Sequence, residues 1–263
     1  MKCVICETPM NFFLKKKFSD YGLGEVDYLR CPKCGFVLSE THAHLSASEW
    51  ETLNRDYHAQ FLGKSVNTDD LRWLERLDAQ ARFIARAERS GLIPRQRPWL
   101  DFGCGDGKLS ALLHSKYGLE LKKFERYTES ASDYLAESEL RPGAFDFVIT
   151  TSVFEHLILR RDFDFIDSLV SSAGVMGLHT LVREAIPADP NWFYFLPVHC
   201  AFHTNASMSL LLEQWGYRHS VYDVESRLWL CFRQAPLGLL QESARRGPAE
   251  QFLHKAGFLD YWK

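Results

Sequence analysis

Apolar positions recur at helical spacing in the segment before residue 91. The positions that carry this pattern are Leu71, Leu74, Leu77, Ala81 and Ile84. Their spacing predicts a helix that begins at residues 68–70 and ends at Gly91, because glycine favours helix C-termini. A shorter helix is predicted upstream. There Ser48 precedes Glu51 by three residues in the capping-box pattern, and the helix extends to about Ala59.

Beyond residue 98 the pattern changes to short apolar runs separated by helical segments. The first run is Trp99-Leu100-Asp101-Phe102, and a predicted helix over residues 108–117, ended by Gly118, follows it. Later elements are a helix over 162–171 and strands over 177–182, 217–224 and 228–233. Strands that alternate with helices predict a largely parallel sheet, and the last two strands predict an antiparallel pair at its edge.

Composition and charge narrow the class of protein. The chain has 263 residues, 46% hydrophobic and 25% charged, which fits one full-sized α/β domain and a smaller unit. It contains no run of 18 apolar residues, and cysteines and charges stand where a signal peptide would be apolar, so we expect a cytoplasmic protein without a membrane span. The net charge of −3 argues against a nucleic-acid partner.

Charged clusters within the chain are interpreted as solvated surface. The sharpest cationic run, Lys15-Lys16-Lys17, is typical of a loop or strand edge. The arginines of the helix before Gly91 are expected on a solvated face beside Glu75, Asp78 and Glu88. These arginines are Arg72, Arg76, Arg82, Arg86 and Arg89.

The N-terminal cysteines form two pairs with the spacing of metal ligands. Cys3 and Cys6 make one pair, Cys31 and Cys34 make the other, and 24 residues lie between the two pairs. Two such turns enclose a tetrahedral Zn²⁺ with four sulfur ligands. Predicted strands over residues 11–18 and 25–29 complete a zinc ribbon. Four cysteines leave no open coordination position, so the predicted zinc is structural.

Three glycines follow the first apolar run at alternate positions, Gly103, Gly105 and Gly107. They let the chain turn from strand to helix and let a ligand approach the bare backbone. A dinucleotide turn requires glycine where this chain has Lys108, which disfavours an NAD-dependent oxidoreductase. The carboxylate of Asp101 suits a cationic amino group and would repel a pyrophosphate. The turn therefore indicates the amino-acid end of S-adenosylmethionine.

At this turn the chain resembles the class I, Rossmann-like S-adenosylmethionine-dependent methyltransferases, whose first motif is commonly Asp-x-Gly-x-Gly-x-Gly. The resemblance extends over about residues 99–232. It implies a second strand within 118–127 that ends at Glu125, the acid that holds the ribose hydroxyls. It also implies a fourth strand that begins at Phe145 and is followed by Glu155-His156-Leu157. The third strand has only a short candidate at 134–136. The residues that we expect to bind the cofactor are Asp101, Gly103, Cys104, Gly105, Gly107, Glu125, Arg126, Thr151 and Ser152, with Asp133 and Glu137 as candidates for the adenine contact.

Methyl transfer to a hydroxyl, phenol or carbon acceptor requires a base, and histidine is the side chain with a suitable pKa. Glu155 and His156 follow the fourth strand at the edge of the sheet where ligands bind. His199 and His203 lie in an aromatic stretch of the kind that lines an apolar acceptor pocket. We expect His199 to be the first candidate for the base, ahead of His156 and His203.

The sequence predicts an α/β fold with a mostly parallel, doubly wound seven-stranded sheet, an antiparallel edge pair and a small preceding zinc ribbon. The boundaries are 1–45 for the ribbon, 46–95 for a helical linker or lid, 96–235 for the cofactor-binding domain and 236–263 for a tail, a packed helix or oligomer contact. The expected function is methylation of a small-molecule or carbohydrate-linked acceptor. Alternatives are an rRNA or tRNA methyltransferase whose ribbon grips RNA, and a non-catalytic module that binds cofactor or a partner protein. The acceptor and the oligomeric state are not set by the sequence.

Overall fold

The computed structural model describes residues 1–59, 71–127, 133–235 and 253–260. The helices are α1 (Glu40–Ala43), α2 (Ala47–Ala59), α3 (Leu71–Arg89), α4 (Lys108–Tyr117), α5 (Arg160–Leu169) and α6 (Asn205–Gln214). The strands are β1 (Asn11–Phe18), β2 (Gly24–Arg30), β3 (Val37–Ser39), β4 (Trp99–Phe102), β5 (Lys122–Phe124), β6 (Phe145–Thr151), β7 (Val170–His179), β8 (Val182–Arg183), β9 (Ala201–Thr204), β10 (His219–Asp223), β11 (Leu228–Phe232) and β12 (Leu253–Ala256).

The larger sheet has seven strands in the order β12-β10-β11-β7-β6-β4-β5. Strands β7, β6, β4 and β5 are parallel, and β11, β10 and β12 are antiparallel. This confirms the predicted fold class. The edge carries three antiparallel strands instead of the expected pair, because residues 253–256 of the tail pair with β10. The described part of the tail is therefore a strand and a short extension and not a packed helix, one of the two alternatives expected for it, and 236–252 lie outside the described residues.

The starts of α2 and β7 differ from the prediction. Helix α2 begins at Ala47, because the reciprocal capping bonds join Ser46 and Glu49 instead of Ser48 and Glu51. Strand β7 begins at Val170, seven residues before the prediction. The small residues at 171–174 resemble turn signals, but Gly174 is needed for packing, because a Cβ there would lie 3.0 Å from the backbone carbonyl oxygen of Asp146.

Two further predictions concern the ends of α3 and the third strand. Helix α3 ends at Arg89, and Gly91 adopts a φ of +71°, as expected for a helix stop. The predicted start of α3, at residues 68–70, lies outside the described residues. The short candidate for the third strand makes one isolated bridge, between Lys123 and Tyr134, while 128–132 lie outside the described residues.

The smaller sheet has five strands in the order β1-β2-β3-β9-β8. Its first three strands belong to the N-terminal ribbon, and β8 and β9 come from the segment after β7. The hydrophobic core is also shared, since Phe36 of the ribbon and Phe154 and Met208 of the larger domain belong to one buried cluster. Backbone pairing and packing therefore cross the predicted boundary at residue 45. Among the described residues, no helix combines the length and apolar character that crossing a membrane requires.

Candidate active site

The glycine turn joins β4 to α4 as the sequence predicts. Gly103, Gly105 and Gly107 have φ angles of +74°, +55° and +72°, in the left-handed region that favours glycine. The backbone N–H groups of Gly103 and Cys104 both donate to the carbonyl of Phe124, which ties the turn to β5. A Cβ on Gly105 would meet no atom within 4 Å, so this residue presents open backbone.

A cavity of about 1170 Å³ lies at the carboxyl ends of β4, β5 and β6. Eight of the nine predicted cofactor residues line it: Asp101, Gly103, Cys104, Gly105, Glu125, Arg126, Thr151 and Ser152. Gly107 is not among the residues that line it. A Cβ there would lie 2.8 Å from Cδ of Lys123 and 3.2 Å from the hydroxyl of Tyr134. Gly107 is therefore required for the close approach of these side chains and does not face the cavity.

The carboxylate of Asp101 is buried at the base of the cavity, with 1% of its surface exposed. Its Oδ1 atom has no hydrogen-bond partner among the described residues. Burial, together with the charges of Glu125 and Asp106, raises the pKa of Asp101 to about 7. A buried, unpaired carboxyl group of this kind is stabilised by a cation placed beside it. The site thus fits the ammonium group that the sequence predicts.

Glu125 follows β5 and is held by backbone donors on both oxygens. Gly105 N–H donates to Oε2 at 2.8 Å, and the N–H groups of Arg126 and Tyr127 donate to Oε1 at 2.9 and 3.1 Å. These bonds fix the carboxylate at the cavity surface while leaving lone pairs free to accept further bonds. The position suits recognition of a vicinal diol such as the ribose hydroxyls.

The candidates for the adenine contact lie in surface ion pairs. Asp133 pairs with Lys123, and Glu137 pairs with Arg126 at 2.9 Å. Neither acid lines the cavity. The structure therefore does not bring these two residues together with the other predicted cofactor residues.

Glu155 is fully buried beside the cavity and accepts two side-chain hydrogen bonds. The hydroxyl of Tyr194 donates to Oε1 at 2.6 Å, and the hydroxyl of Thr180 donates to Oε2 at 2.9 Å. Burial raises the pKa of Glu155, and the two hydroxyl donors oppose that shift. Glu155 is thus a positioned acid behind the cavity surface, and it does not itself line the cavity.

His156 lines the cavity, and His199 lies directly behind it. Their ring centroids are 5.0 Å apart and the rings are nearly perpendicular. The Nδ1 atom of His199 lies 2.9 Å from the carbonyl of Tyr194, so Nδ1 carries the proton and Nε2 is free to accept one. The Nδ1 atom of His156 is buried without a partner among the described residues.

Both imidazoles are neutral near pH 7. Burial, the largest cause in each case, lowers the pKa of His199 to about 4 and that of His156 well below 6.5. The neighbouring His199 lowers the pKa of His156 further. The ligand atoms of Glu155, His156 and His199 all lie within 4.8 Å of one another, so the structure brings these three predicted catalytic residues together.

His203, the fourth catalytic candidate, lies in the core instead. It is on β9, and its ring lies 5.0 Å from Phe36, 5.9 Å from Phe154 and 5.7 Å from Phe163, measured between centroids. Burial lowers its pKa to about 3, so it is neutral. The structure therefore does not bring His203 to the cavity.

Two helices add cavity residues that sequence reasoning missed. Asn54 and His58 of α2, and Trp73 and Arg76 of α3, line the cavity. The ring of His58 lies 5.5 Å from that of His156. Arg76 was expected on a solvated face, but it is half-buried and faces the cavity. The only sequence signal for these residues was their place in the helical region 46–95, which was interpreted as a linker or lid.

The four ribbon thiols converge as predicted. Sγ of Cys6 lies 3.4 Å from that of Cys31, and Sγ of Cys34 lies 3.7 Å from those of Cys3 and Cys6. Sulfur atoms of a disulfide are about 2.05 Å apart, so none of these pairs is bonded. Four thiolates around an ion at about 2.3 Å lie about 3.8 Å from each other, so the donor set fits a structural zinc.

Comparison with known protein families identifies the family of this chain. A family model described as a methyltransferase domain matches residues 72–219, more than half of the chain. No curated protein sequence gives a significant match. Similar solved structures include a SAM-dependent methyltransferase from Archaeoglobus fulgidus, with 19% identity, a TM-score of 0.44, and coverage of 64% of this chain and 76% of that one. Another is magnesium protoporphyrin IX methyltransferase from Synechocystis PCC 6803 with bound SAH, with 15% identity, a TM-score of 0.46, and coverage of 70% and 100%. By its family match the chain belongs to the methyltransferase-domain family and is a class I S-adenosylmethionine-dependent methyltransferase.

Proposed function

We propose that the protein transfers a methyl group from S-adenosylmethionine to a small-molecule or carbohydrate-linked acceptor. The observation that carries this proposal is the arrangement of one cavity. Its surface includes the carboxylate of Glu125, the imidazole of His156 and the carboxyl group of Asp101, whose Oδ1 atom has no hydrogen-bond partner among the described residues. A cavity of this size and mixed polar and apolar character suits a cofactor and a compact acceptor.

Each end of the cofactor has a matching group in the cavity. Asp101 would hold the ammonium group, and Glu125 would accept hydrogen bonds from the ribose hydroxyls. Arg76 supplies a cation on the same cavity surface for the α-carboxylate. The bound cofactor supplies a methyl group on a positively charged sulfur, so the protein's task is alignment of the acceptor and removal of its proton.

We assign proton removal to the histidine pair. His156 lies at the cavity surface and is the residue that meets the acceptor, while His199 lies behind it with an unprotonated Nε2 atom. This order differs from the sequence prediction, which placed His199 first. Both rings are neutral and therefore able to accept a proton. Glu155 holds Tyr194, whose carbonyl orients His199.

The RNA alternative receives no support from the ribbon surface. Lys15 pairs with Glu25 at 2.9 Å, and Lys16 donates to the carbonyl of Phe195 at 2.8 Å. These two lysines serve contacts within the protein, and the chain as a whole is acidic. We accordingly propose an acceptor other than nucleic acid. Reduced cysteines are required for the four-thiolate site, which favours the cytoplasm as its location.

The test is a turnover assay with labelled S-adenosylmethionine and a panel of sugar nucleotides, free sugars, phenols and transfer or ribosomal RNA. Formation of S-adenosylhomocysteine with a sugar or another small acceptor is the expected result. Methylation confined to RNA would overturn the acceptor class. Tight cofactor binding without turnover on any acceptor would favour the non-catalytic alternative, and calorimetric binding of NAD but not S-adenosylmethionine would favour the oxidoreductase.

A further inference from the structure

The zinc ribbon is joined by backbone pairing to the segment that carries His199. Strand β3 pairs with β9, with Val37 opposite Phe202 and Leu38 opposite Ala201. Beyond this ladder, Ser39 N–H donates to the carbonyl of Cys200 at 2.8 Å. The ribbon and residues 201–204 are thus parts of one sheet, and the ribbon is not a separate appendage.

Side chains of the ribbon also hold the loop before β9. Lys16 Nζ donates to the carbonyl of Phe195 at 2.8 Å. His42 is fully buried, with Nδ1 at 2.6 Å from the hydroxyl of Ser39 and Nε2 at 2.8 Å from the carbonyl of Pro197. Because a carbonyl only accepts, Nε2 is the donor, and His42 links the end of β3 to the loop.

One contact connects the metal site itself to the same segment. The hydroxyl of Thr204 donates to the backbone carbonyl of Cys34, a ligand of the four-thiol site. Thr204 also caps α6, because its hydroxyl accepts a hydrogen bond from the N–H of Ser207 at 3.1 Å. One buried hydrogen bond thus joins the Cys31–Cys34 turn to the end of β9. A rearrangement of the turn would therefore displace the partner of Thr204 directly.

The opposite side of the 194–204 segment faces the proposed acceptor site. Tyr194 donates to the carboxylate of Glu155, the ring of His199 packs on His156, and Cys200 N–H donates to the carbonyl of Glu155 at 2.9 Å. The cofactor turn has different supports. Its bonds run to Phe124, the last residue of β5 in the larger sheet, and to Glu125, which follows β5.

We propose that metal binding by Cys3, Cys6, Cys31 and Cys34 positions the 194–204 segment, and with it the acceptor side of the cavity, while the cofactor side is independent of the metal. His42 is the principal positioning residue between the two. The assignment of this side to the acceptor rests on the proposed function, whereas the mechanical coupling between metal site and segment does not. The thiols of the Cys3–Cys6 and Cys31–Cys34 turns converge on one point, so loss of the metal removes the bonds that hold the two turns together, which is the physical source of the coupling.

The first experiment compares the full-length protein before and after removal of its metal by a chelator. Amide hydrogen exchange is measured in peptides that cover 194–204 and 99–107, and the affinity for S-adenosylhomocysteine is measured by calorimetry. Exchange in 194–204 should rise about tenfold or more while 99–107 and the affinity change by less than about twofold. Unchanged exchange in 194–204 would overturn the coupling. An equal rise of exchange in 99–107 would show that the metal orders the cofactor turn as well, and would overturn the claim that its effect is confined to the acceptor side.

The second experiment tests His42 in the metal-loaded protein. His42→Leu removes the donor to Pro197 and should accelerate exchange in 194–204 without releasing zinc. His42→Gln keeps a side-chain N–H donor and should restore most of the protection. The matched control is His114→Leu, at an exposed histidine of α4. Equal exchange in the two His42 variants would overturn its positioning role. None of these measurements needs an acceptor, so failure of the proposed function would show separately, as lack of turnover.

Discussion

The hydroxyl of Tyr194 donates a 2.6 Å hydrogen bond to the buried carboxylate of Glu155. The two residues are 39 positions apart, and the bond joins the segment after β6 to the loop that precedes β9. Loss of a hydrogen bond to a buried carboxylate leaves that group with incomplete solvation, which is costly in a protein interior. This bond is therefore expected to matter both for stability and for the position of His199.

Tyr194→Phe should destabilise the fold by about 1–3 kcal/mol. The cost should depend on pH, because the hydroxyl favours the ionised form of Glu155, and the pKa of Glu155 is already raised by burial. At low pH the carboxyl group of Glu155 is protonated in the parent and in the variant, so the difference between their free energies of unfolding is smallest. This difference grows as pH rises through the pKa of Glu155 in the folded protein.

Urea unfolding of the parent and the variant at pH 5 and pH 8 measures this effect. Tyr117→Phe, at a half-buried tyrosine of α4, is the matched control. A destabilisation that is the same at both pH values would contradict a bond to ionised Glu155.

Asp101 should make cofactor binding dependent on pH. Its pKa of about 7 without cofactor means that it holds a proton below neutrality, and an ammonium group beside it favours the ionised form. Binding should then release up to one proton, and the affinity should fall by as much as about tenfold per pH unit below 7. Calorimetry in two buffers of different ionisation enthalpy at pH 6 measures the released proton.

Asp101→Asn should weaken the affinity about 10–100-fold at pH 8 and remove this pH dependence. The control Asp133→Asn alters an exposed acid outside the cavity and should leave both properties unchanged. If Asp101→Asn binds with the parent's affinity, the ammonium assignment is wrong.

The cofactor side of the site could be predicted from sequence because its parts are local. The turn from β4 to α4 needs glycines at defined φ angles, and an acid directly after β5 lies at the same sheet edge. The acceptor side depends on contacts between distant segments. His156 and His199 are 43 positions apart in sequence, and neither spacing nor periodicity shows which of them faces the cavity.

The pairing of the ribbon with the larger domain also could not be predicted from the sequence. Strand β9 has four residues, fully buried, and its pairing with β3 spans more than 160 positions. The same burial explains the position of His203, because a histidine flanked by Ala201, Phe202 and Thr204 has the polarity expected of a site residue but the packing of a core residue. Arg76 was missed for a related reason. A helical arginine near acids is typical of a solvated face. Only the position of α3 in the folded protein shows that Arg76 faces the cavity.

Glu125→Gln should weaken cofactor affinity by about tenfold or more, because an amide accepts weaker hydrogen bonds from the ribose hydroxyls than a carboxylate does. Glu125 also holds the N–H of Gly105, so part of any loss could come from the turn. A double-mutant cycle separates the two causes. The parent and the variant are each titrated with S-adenosylhomocysteine and with its analogue that lacks both ribose hydroxyls. The ribose assignment requires the variant's loss to be much smaller with the analogue, and equal losses with both ligands would refute it.

His156→Gln should lower kcat about 10²–10⁴-fold, the usual contribution of a general base, with the affinity for S-adenosylhomocysteine within about twofold of the parent. Because burial and His199 hold the pKa of His156 well below 6.5, the neutral form prevails at pH 7, and the acid limb of the pH–rate profile should lie well below the usual range of a histidine. The same substitution should abolish that limb.

His199→Gln should reduce kcat less, since His199 does not line the cavity and acts through His156. His114→Gln, on the exposed face of α4, serves as the control. Parental turnover in His156→Gln together with a severe loss in His199→Gln would reverse the order of the two histidines, and parental turnover in both would remove the pair from the reaction.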